Sequence, residues 1–215
     1  MITHWVPQLL ASALLAAEPA LPSLKEVMNH LDDLYRAKSS HATMKMKIVT
    51  EFFDRELTLE SWSKGDDEAL VVVRAPARES GTATLRSKDG LWSYAARADR
   101  LIRIPTGMLS ESWMGSHLTN EDLVRDTDYD KDYESALAWV DEGGKRLLRV
   151  EMTPRPDTPI VYSKLVYLLD ADGWLPYRME AYDKDKVVRT TTFSNPKTVA
   201  GRKVPMLMKV VPAAK

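Results

Sequence analysis

The sequence has no cysteine and only four histidines among its 215 residues. The absence of cysteine excludes disulfide frameworks, cysteine-ligated zinc, iron–sulfur clusters and thiol nucleophiles. Neither sign of charge prevails, because 30 lysines and arginines stand against 31 aspartates and glutamates. A net charge of −1 provides no overall field that would attract nucleic acid or an anionic membrane. Composition alone therefore names no partner, and we expect no nucleic-acid ligand.

Long apolar runs are also scarce, and the one that stands out lies at the amino terminus. From Trp5 to Ala17 the chain is almost wholly apolar or small. This run is shorter than the roughly 20 residues that a transmembrane helix needs, and it is typical of a secretory signal peptide. We predict a signal peptide at residues 1–20 and a single domain at residues 21–215. Because lysine and arginine are missing before the run, a buried amphipathic helix stays open as the alternative.

One helix is predicted after this segment, from Ser23 to Ala37. Ser23 and Glu26 have the spacing of a capping box, in which each side chain satisfies a backbone N–H of the first turn. Apolar residues then recur at the spacing of one helical face, at Leu24, Val27, Met28, Leu31 and Leu34. The apolar face makes this helix available to cover a sheet.

The hydrophobic period then drops to two, which predicts half-buried strands. In the first of them, Met44, Met46 and Ile48 occupy alternate positions. We predict strands at Thr43–Val49, Glu56–Glu60, Ala69–Arg74, Thr82–Arg86, Leu91–Tyr94, Leu101–Ile104, Glu134–Val140, Lys145–Met152, Val161–Leu169, Tyr177–Tyr182, Val187–Phe193 and Val204–Val211.

Turn-forming pairs such as Asp89-Gly90 and Gly143-Gly144 separate these strands. Short connections imply an antiparallel meander, and a single sheet of so many twisted strands must curl. We therefore predict a mainly β fold, an incomplete, half-open antiparallel β-barrel of about 11–12 strands with one N-terminal helix. The segment from Pro105 to Tyr133 lacks alternation and is long for a loop. Long structured loops in compact domains are usually functional.

Catalytic motifs are weak in this sequence. Ser61 and Lys64 have the spacing of a serine nucleophile with a lysine base, but residues three apart on a strand face opposite sides. Ser116 and His117 are adjacent without an evident third group to orient the histidine. We expect no catalytic residue, and a hydrolase stays open only as an alternative that would need convergent polar groups in a cavity.

Metal-binding patterns are incomplete as well. Alternate aspartates from Asp126 to Asp132 have the spacing of a calcium loop. Lys131 stands where the loop requires glycine, and Leu137 stands where it requires a bidentate glutamate, so a solvated acidic loop is the better interpretation. The histidines lack partners four residues away, which argues against zinc. We therefore expect neither a metal nor a cofactor.

Methionine is plentiful, with ten residues, and six tryptophans accompany it. Three groups recur: Met44 and Met46 share one strand face, Met206 and Met208 share another, and Met108, Trp113 and Met114 lie in the long loop. Methionine adapts its shape easily, so methionine-rich surfaces suit ligands of variable form such as acyl chains. Alternation identifies an inner face but not what fills it, so a ligand cavity and a packed core both stay open.

Several ordered motifs carry a family resemblance. The stretch from Gly90 contains a W-x-Y strand at Trp92, an I-R-I-P strand at Ile102, a W-M-G-S block at Trp113 and a T-N-x-D-L sequence at Thr119. With these motifs the chain resembles the bacterial outer membrane lipoprotein-sorting protein family of the LolA/LolB-like superfamily. Later elements agree, and the resemblance covers most of the predicted domain.

This resemblance implies an unclosed barrel with a helical lid, whose apolar cavity shelters acyl chains of a lipoprotein or a phospholipid in the periplasm. It implies carriage rather than catalysis: a monomer loaded by an inner-membrane exporter complex of the ABC or RND type, with transient membrane-surface contact and delivery towards the outer membrane. On this basis we expect the lipid-binding residues to be Trp92, Tyr94, Ile102, Ile104, Met108, Leu109, Trp113, Met114, Met44 and Met46. We expect Arg100 and Arg103 at the mouth, where they contact polar cargo or pin the lid. A lipid-sensing or protein-interaction module of the same fold is the alternative.

Overall fold

The computed structural model describes residues 20–35, 38–65, 68–124, 129–156, 158 and 160–213. The predicted signal peptide lies outside the described residues except for Ala20, as do the end of the predicted first helix and the aspartates Asp126 and Asp128. Within the described ranges, no helix combines the length and the apolarity that crossing a membrane requires.

Strands dominate the described structure, and the helices are short. Helix α1 spans Leu24–Tyr35, α2 spans Asn120–Val124 and α3 spans Tyr129–Asp132. The strands are β1 (Ser39–Val49), β2 (Asp54–Lys64), β3 (Glu68–Ala75), β4 (Ala83–Ser87), β5 (Gly90–Ala95), β6 (Arg100–Arg103), β7 (Tyr133–Glu142), β8 (Lys145–Pro154), β9 (Lys164–Asp170), β10 (Pro176–Asp183), β11 (Lys186–Val199) and β12 (Arg202–Pro212). All of the strands predicted from alternation are confirmed, with their ends shifted by a few residues.

These strands form two antiparallel sheets of six strands each. The N-terminal sheet has the order β1 to β6, and the C-terminal sheet has the order β12 to β7, so each is a meander of sequential hairpins. The mainly β, open antiparallel fold is confirmed. The expectation of one continuous sheet is wrong, because residues 104–132 separate β6 from β7 and are too long for a hairpin connection. Strands β6 and β7 therefore each lie at the edge of a sheet.

Helix α1 covers one face of the C-terminal sheet, which we call the inner face of that sheet. Its buried side chains are Val27, Met28, Leu31 and Leu34, at the spacing that the sequence predicted. The first three join a core with alternate residues of the strands beneath, including Leu148 and Val150 of β8. Each fully buried side chain of this kind contributes about 1.5–3 kcal/mol to folding. This burial fixes the helix on the sheet.

Charged side chains cover the opposite, outer face of the C-terminal sheet over β7 to β10. Arg178 donates to Glu142 at 2.8 Å and pairs with Glu180 at 2.9 Å. Hydrogen bonds and charge from Arg178 hold the pKa of Glu142 below its ordinary value. Lys164 pairs with Glu151 at 3.8 Å. Beneath these side chains lie buried apolar residues, namely Leu147, Val166 and Leu168.

The two faces of the N-terminal sheet are set by the strand register. Met46 pairs with Leu57, and Leu59 pairs with both Met44 and Val73, so these side chains share one face. Leu57, Leu59 and Val73 are buried there, and we call this face the inner face of the N-terminal sheet. The described loop between the two sheets lies against this inner face.

Candidate functional site

The chain that follows β6 crosses the inner face of the N-terminal sheet, and we call residues 104–124 the lid segment. Its Trp113 side chain is only 5% exposed and packs against Ile48, Leu57 and Val73. The indole nitrogen of Trp113 donates to the hydroxyl of the buried Thr84 at 3.0 Å. A polar partner for the indole N–H is what allows tryptophan to be buried. Trp113 therefore plugs one end of the inner face.

The lid segment holds its own shape around Trp113 through local hydrogen bonds. The Trp113 backbone N–H donates to the Leu118 carbonyl at 2.7 Å, and the Ser116 hydroxyl donates to the Trp113 carbonyl at 2.7 Å. Met114 and Gly115 both have positive φ, at 52° and 69°, which produces the tight turn behind the indole. The plug is thus a preformed loop.

One arginine ties this loop to the N-terminal sheet. Arg55 of β2 donates to the backbone carbonyl of Met114, and its guanidinium also pairs with Glu79 at 3.3 Å. The ring of Phe53 lies 5.9 Å from the same guanidinium. Arg55 therefore fixes the lid segment at the position next to Trp113.

A second arginine ties the lid segment to the C-terminal sheet. Arg189 of β11 donates through both terminal nitrogens to the carboxylate of Asp122, at 2.6 and 2.9 Å. Asp122 also accepts the Thr119 backbone N–H at 2.7 Å, and the Arg189 guanidinium lies 4.9 Å from the Tyr162 ring. Burial raises the pKa of Asp122, but hydrogen bonds and charge from Arg189 and bonds from Thr119 outweigh burial and hold it below its ordinary value. The lid segment is therefore anchored on both sheets.

Away from Trp113 the inner face is open. Met44 of β1 is 42% exposed and Ile102 of β6 is 53% exposed, although both lie on the face that is buried beneath the plug. At the end of β6 the chain borders a half-open hollow of about 380 Å³. Its lining residues are Gly90, Leu91, Arg103, Ile104, Pro105, Thr106 and Leu109. The inner face thus has a packed end at Trp113 and an open end.

The structure brings most of the expected lipid-binding residues to this surface. Met44, Met46, Ile102 and Ile104 are on the inner face by register, and Arg100 points to the same side because it pairs with Ala95. On the lid segment, Trp113 is buried, Met114 and Leu109 are partly buried, and Met108 is exposed.

Two expected residues do not join them, and a third lies at the margin. Trp92 pairs with Arg103, whereas Ser93 pairs with Ile102, so the register places Trp92, Tyr94 and Arg103 on the opposite, outer face of the N-terminal sheet. Arg103, near the end of β6, also lines the hollow. The turn between β5 and β6 sets this register, since Ala96–Ala98 form a 3-10 turn followed by a left-handed Asp99. Arg55, which sequence reasoning missed, hydrogen-bonds to the lid segment from this sheet.

Neither Arg55 nor Arg189 was assigned a role from the sequence, because each lies far along the chain from its partner. Asp122 did stand within the T-N-x-D-L motif, which was the available signal for this region. Ser61 and Lys64 are on opposite faces of β2, since Ser61 pairs with Ala42 and Lys64 with Ser39. In the part of the chain that the structure describes, no group of three or more acidic or histidine side chains is arranged to hold a metal ion.

A family model described as an uncharacterized protein matches residues 65–215, which is more than half of the chain. The chain belongs to this family. Its fold is that of solved structures described as a LolA superfamily protein and as an outer membrane lipoprotein-sorting protein domain, which confirms the fold that the resemblance implied. No curated protein has a significant sequence match.

Three solved structures carry the superfamily fold. A DUF1329 family protein from Desulfovibrio piger is 25% identical with a TM-score of 0.78, covering 87% of this chain and 84% of that chain. A domain from Vibrio parahaemolyticus, described as an outer membrane lipoprotein-sorting protein, is 24% identical with a TM-score of 0.75 and the same coverage, 87% and 84%. A LolA superfamily protein from Nitrosomonas europaea is 19% identical with a TM-score of 0.71, covering 91% and 88%.

Proposed function

We propose that this LolA-like protein is a periplasmic carrier that binds acyl chains of a lipid or lipoprotein on the inner face of its N-terminal sheet. The observation that carries the proposal is the continuity of this face: buried and plugged at Trp113, but open and apolar at Met44 and Ile102. An exposed apolar patch beside a structured segment offers a hydrophobic ligand both an apolar contact area and shielding from water.

Reversible binding of an acyl chain is easier on a surface where a side chain of the protein competes with the ligand. A methylene leaving water gains about 0.8 kcal/mol, so a chain of roughly sixteen carbons would gain on the order of 10 kcal/mol on full burial. A carrier that bound this tightly would release its cargo slowly. An acyl chain that extends towards Ile48 and Leu57 must displace Trp113, which gives up its own burial. This exchange lowers the net affinity and makes transfer reversible.

The two arginine anchors define the closed arrangement in this proposal. Arg55 and Arg189 hold the lid segment from two sheets, so movement of Trp113 away from the inner face requires at least one anchor to open. Arg100, exposed on the inner face at the start of β6, is placed to contact a polar part of the cargo. Trp92 and Tyr94 lie on the outer face and are not included in this site, whereas Arg103 lines the hollow at the end of β6.

The wider role follows from the family rather than from this geometry. The Vibrio parahaemolyticus relative is described as an outer membrane lipoprotein-sorting protein, which supports lipoprotein acyl chains or phospholipid as cargo. We propose that the chain is exported to the periplasm, receives cargo from an inner-membrane exporter complex of the ABC or RND type, and acts as a monomer without catalysis.

The first test is native mass spectrometry of the full chain purified from a periplasmic extract without detergent, followed by solvent extraction. We expect a stoichiometric lipid or acylated peptide. A protein that is empty and also fails to take up a fluorescent fatty acid would contradict carriage and favour a protein-interaction module of the same fold.

Two neighbouring residues provide a matched test of the binding face. Ile102 is on the inner face and Leu101 on the outer face of the same strand, and they are similarly exposed, at 53% and 62%. We expect Ile102→Asp to weaken binding of a fluorescent fatty acid by about tenfold or more, because a carboxylate in an apolar contact is costly. Leu101→Asp should leave that affinity within about twofold, since its side chain points away from the acyl chain. Equal effects of both substitutions would place the ligand elsewhere.

A further inference from the structure

Two turns meet at one end of the N-terminal sheet and border a second half-open hollow. Residues 76–82 connect β3 to β4, and residues 96–99 connect β5 to β6. Gly81 of the first turn lies so close to Ala96 of the second that an added β-carbon would be 3.2 Å from the Ala96 side chain. The hollow beside this contact measures about 360 Å³, and we call it the turn hollow. Its polar lining residues are Arg78, Glu79, Thr82, Ser93 and Arg97.

The turn hollow opens on the inner face of the N-terminal sheet. Ser93 lines it and pairs with Ile102, so these two side chains share that face. Leu91 and Ala95 point the same way, because each lies two residues from Ser93 on β5. Leu91 lines the hollow at the end of β6, and Ala95 lines the turn hollow. Four residues of a strand span about 13 Å, so the two hollows lie that far apart on one face, with Ile102 beside the strand between them.

Positive charge prevails in the turn hollow. Glu79 is the acidic member of its lining, and its carboxylate is paired with Arg55 at 3.3 Å and with Arg78 at 3.7 Å. Arg97 forms no ion pair with any residue that the structure describes. The one carboxylate is therefore shared between two arginines, and a third arginine is left to attract an anion.

The second turn adds to this charge. Arg100 pairs with Ala95, a lining residue, and the β-carbons of directly opposite residues are about 5 Å apart. Arg100 therefore lies next to the turn hollow on the inner face. Asp99, the acidic residue of the same turn, accepts the hydroxyl of Tyr94 at 2.9 Å on the outer face of the sheet. The sheet thus separates this carboxylate from the hollow.

The lining also supplies neutral hydrogen-bond donors. Thr82 and Ser93 bring hydroxyl groups to the wall between Arg78 and Arg97. Guanidinium groups bind phosphate oxygens through two parallel N–H donors, and hydroxyl groups donate to the oxygens that remain. Two guanidinium and two hydroxyl groups around one half-open hollow are a donor set suited to a phosphate group.

We propose that the turn hollow binds the phosphate head group of a lipid whose acyl chain lies along the inner face. The proposal rests on the carrier function proposed above and narrows its cargo to phospholipid, since the acyl chains of a lipoprotein carry no phosphate beside them. The apolar inner face supplies contact area for the chain, and the turn hollow fixes the position of the charged end. From there the chain passes Ile102 and extends towards Leu91.

The wall of the turn hollow is also joined to the lid segment. Arg55 pairs with Glu79 and donates to the backbone carbonyl of Met114, next to the plug. Thr84, which accepts the indole N–H of Trp113, is the cross-strand partner of Ser93. The head-group site therefore lies beside the anchored end of the lid segment, where an acyl chain and Trp113 compete.

The test compares two lipids that share one lauroyl chain and differ in a phosphate group, lysophosphatidic acid and monoacylglycerol. Titration calorimetry of the full chain, below the critical micelle concentration of each lipid, gives both dissociation constants. We expect wild type to bind lysophosphatidic acid about tenfold more tightly than monoacylglycerol. Glycerol phosphate supplies the head group without a chain, and it should bind far more weakly than lysophosphatidic acid because it buries no methylenes.

Four substitutions in matched pairs locate the head-group site. Arg78→Gln with Arg97→Gln should abolish the preference for lysophosphatidic acid and leave monoacylglycerol affinity within about twofold of wild type. The Arg78 side chain is 75% exposed, so the fold should tolerate this change, and thermal unfolding checks it. Arg78→Lys with Arg97→Lys keeps the charge and should retain most of the preference. The control Lys203→Gln with Lys209→Gln removes equal charge from exposed positions of β12 and should bind as wild type does.

Ile102→Asp distinguishes this proposal from the carrier function on which it rests. That substitution alters the acyl contact, so it should weaken both lipids, whereas the arginine-to-glutamine variant should weaken the charged lipid alone. Equal affinity of wild type for the two lipids, or equal loss of both in the arginine variant, overturns the head-group site and leaves acyl-chain binding intact. Wild type that binds neither lipid overturns both proposals. Glycerol phosphate bound as tightly as lysophosphatidic acid overturns the lipid assignment and gives the turn hollow to a free phosphate ester.

Discussion

Arg189 on β11 and Asp122 on α2 form a two-point ion pair that joins the lid segment to the C-terminal sheet, with nitrogen–oxygen distances of 2.6 and 2.9 Å. Arg189 is buried, and its guanidinium also faces the Tyr162 ring. The pair therefore holds the end of the lid segment near Asp122 on the C-terminal sheet.

Removing the guanidinium should loosen the lid segment. Arg189→Met keeps an apolar stem but leaves the Asp122 carboxylate without its partner, so we expect the free energy of unfolding to fall by about 2 kcal/mol. Urea denaturation measures this. Arg178→Met is a suitable control on the same sheet, because its partners Glu142 and Glu180 are on the solvent side, and a smaller loss is expected there. A loss in Arg189→Met no larger than in the control would show that the pair does not stabilise the fold.

The same pair predicts a dependence of stability on acid pH. Because the folded pKa of Asp122 lies below its ordinary value of 3.8, its contribution is complete above that pH and is lost as the pH falls through the folded pKa. Asp122→Asn cannot titrate and should lack this component. We expect the urea midpoint of wild type to drop more than that of Asp122→Asn between pH 5 and strongly acidic pH. Parallel curves for the two proteins would contradict the assignment.

Shortening the Trp113 side chain should lower the stability of the protein while raising its affinity for a fatty acid. Trp113→Ala removes a buried indole and leaves Thr84 without its partner, so unfolding should become easier by about 3–5 kcal/mol. If an acyl chain competes with Trp113 for the inner face, the same variant should bind a fluorescent fatty acid more tightly than wild type does. Titration fluorescence checks this, with thermal unfolding to establish that the variant is folded. Weaker binding would mean that Trp113 is part of the ligand contact surface.

Two glycines near the hollow provide a backbone test. Gly90 has a φ of +119°, and an added β-carbon would lie 3.4 Å from the Arg103 guanidinium. Gly90→Ala should therefore destabilise the β4–β5 hairpin by about 1–3 kcal/mol. Gly107 has no atom within 4 Å of such a β-carbon, and Gly107→Ala should change the midpoint little. Thermal unfolding of the pair distinguishes strain at Gly90 from a general cost of alanine in this region.

The period-two pattern was sufficient to locate the strands, because alternation of apolar residues is a property of each strand by itself. The spacing of Val27, Met28 and Leu31 likewise predicted the face of α1 that is buried. The ordered motifs between Trp92 and Leu123 carry the resemblance to the LolA/LolB-like superfamily. In each of these cases the information lies within a short stretch of sequence.

What alternation does not contain is the register between strands. Alternation places Trp92 and Tyr94 on one face of β5, and Ile102 and Ile104 on one face of the following strand. Only the turn that begins at Ala96 decides whether these two pairs lie on the same side of the sheet. The turn places them on opposite sides, so Trp92 and Tyr94 lie away from the inner face on which we propose that an acyl chain binds. A change of one residue in register would reverse this result.

The sequence by itself determined the strands, the first helix, the long segment after β6 and the family resemblance. Each of these depends on periodicity or motifs among residues that are close together in the chain. Only the tertiary structure decided that the strands divide into two sheets, that Trp113 is buried on the inner face, and that Arg55 and Arg189 anchor the lid segment. These anchors join residues 59 and 67 positions apart. Their pairing depends on how sheets and loops meet in space, and no local pattern encodes that.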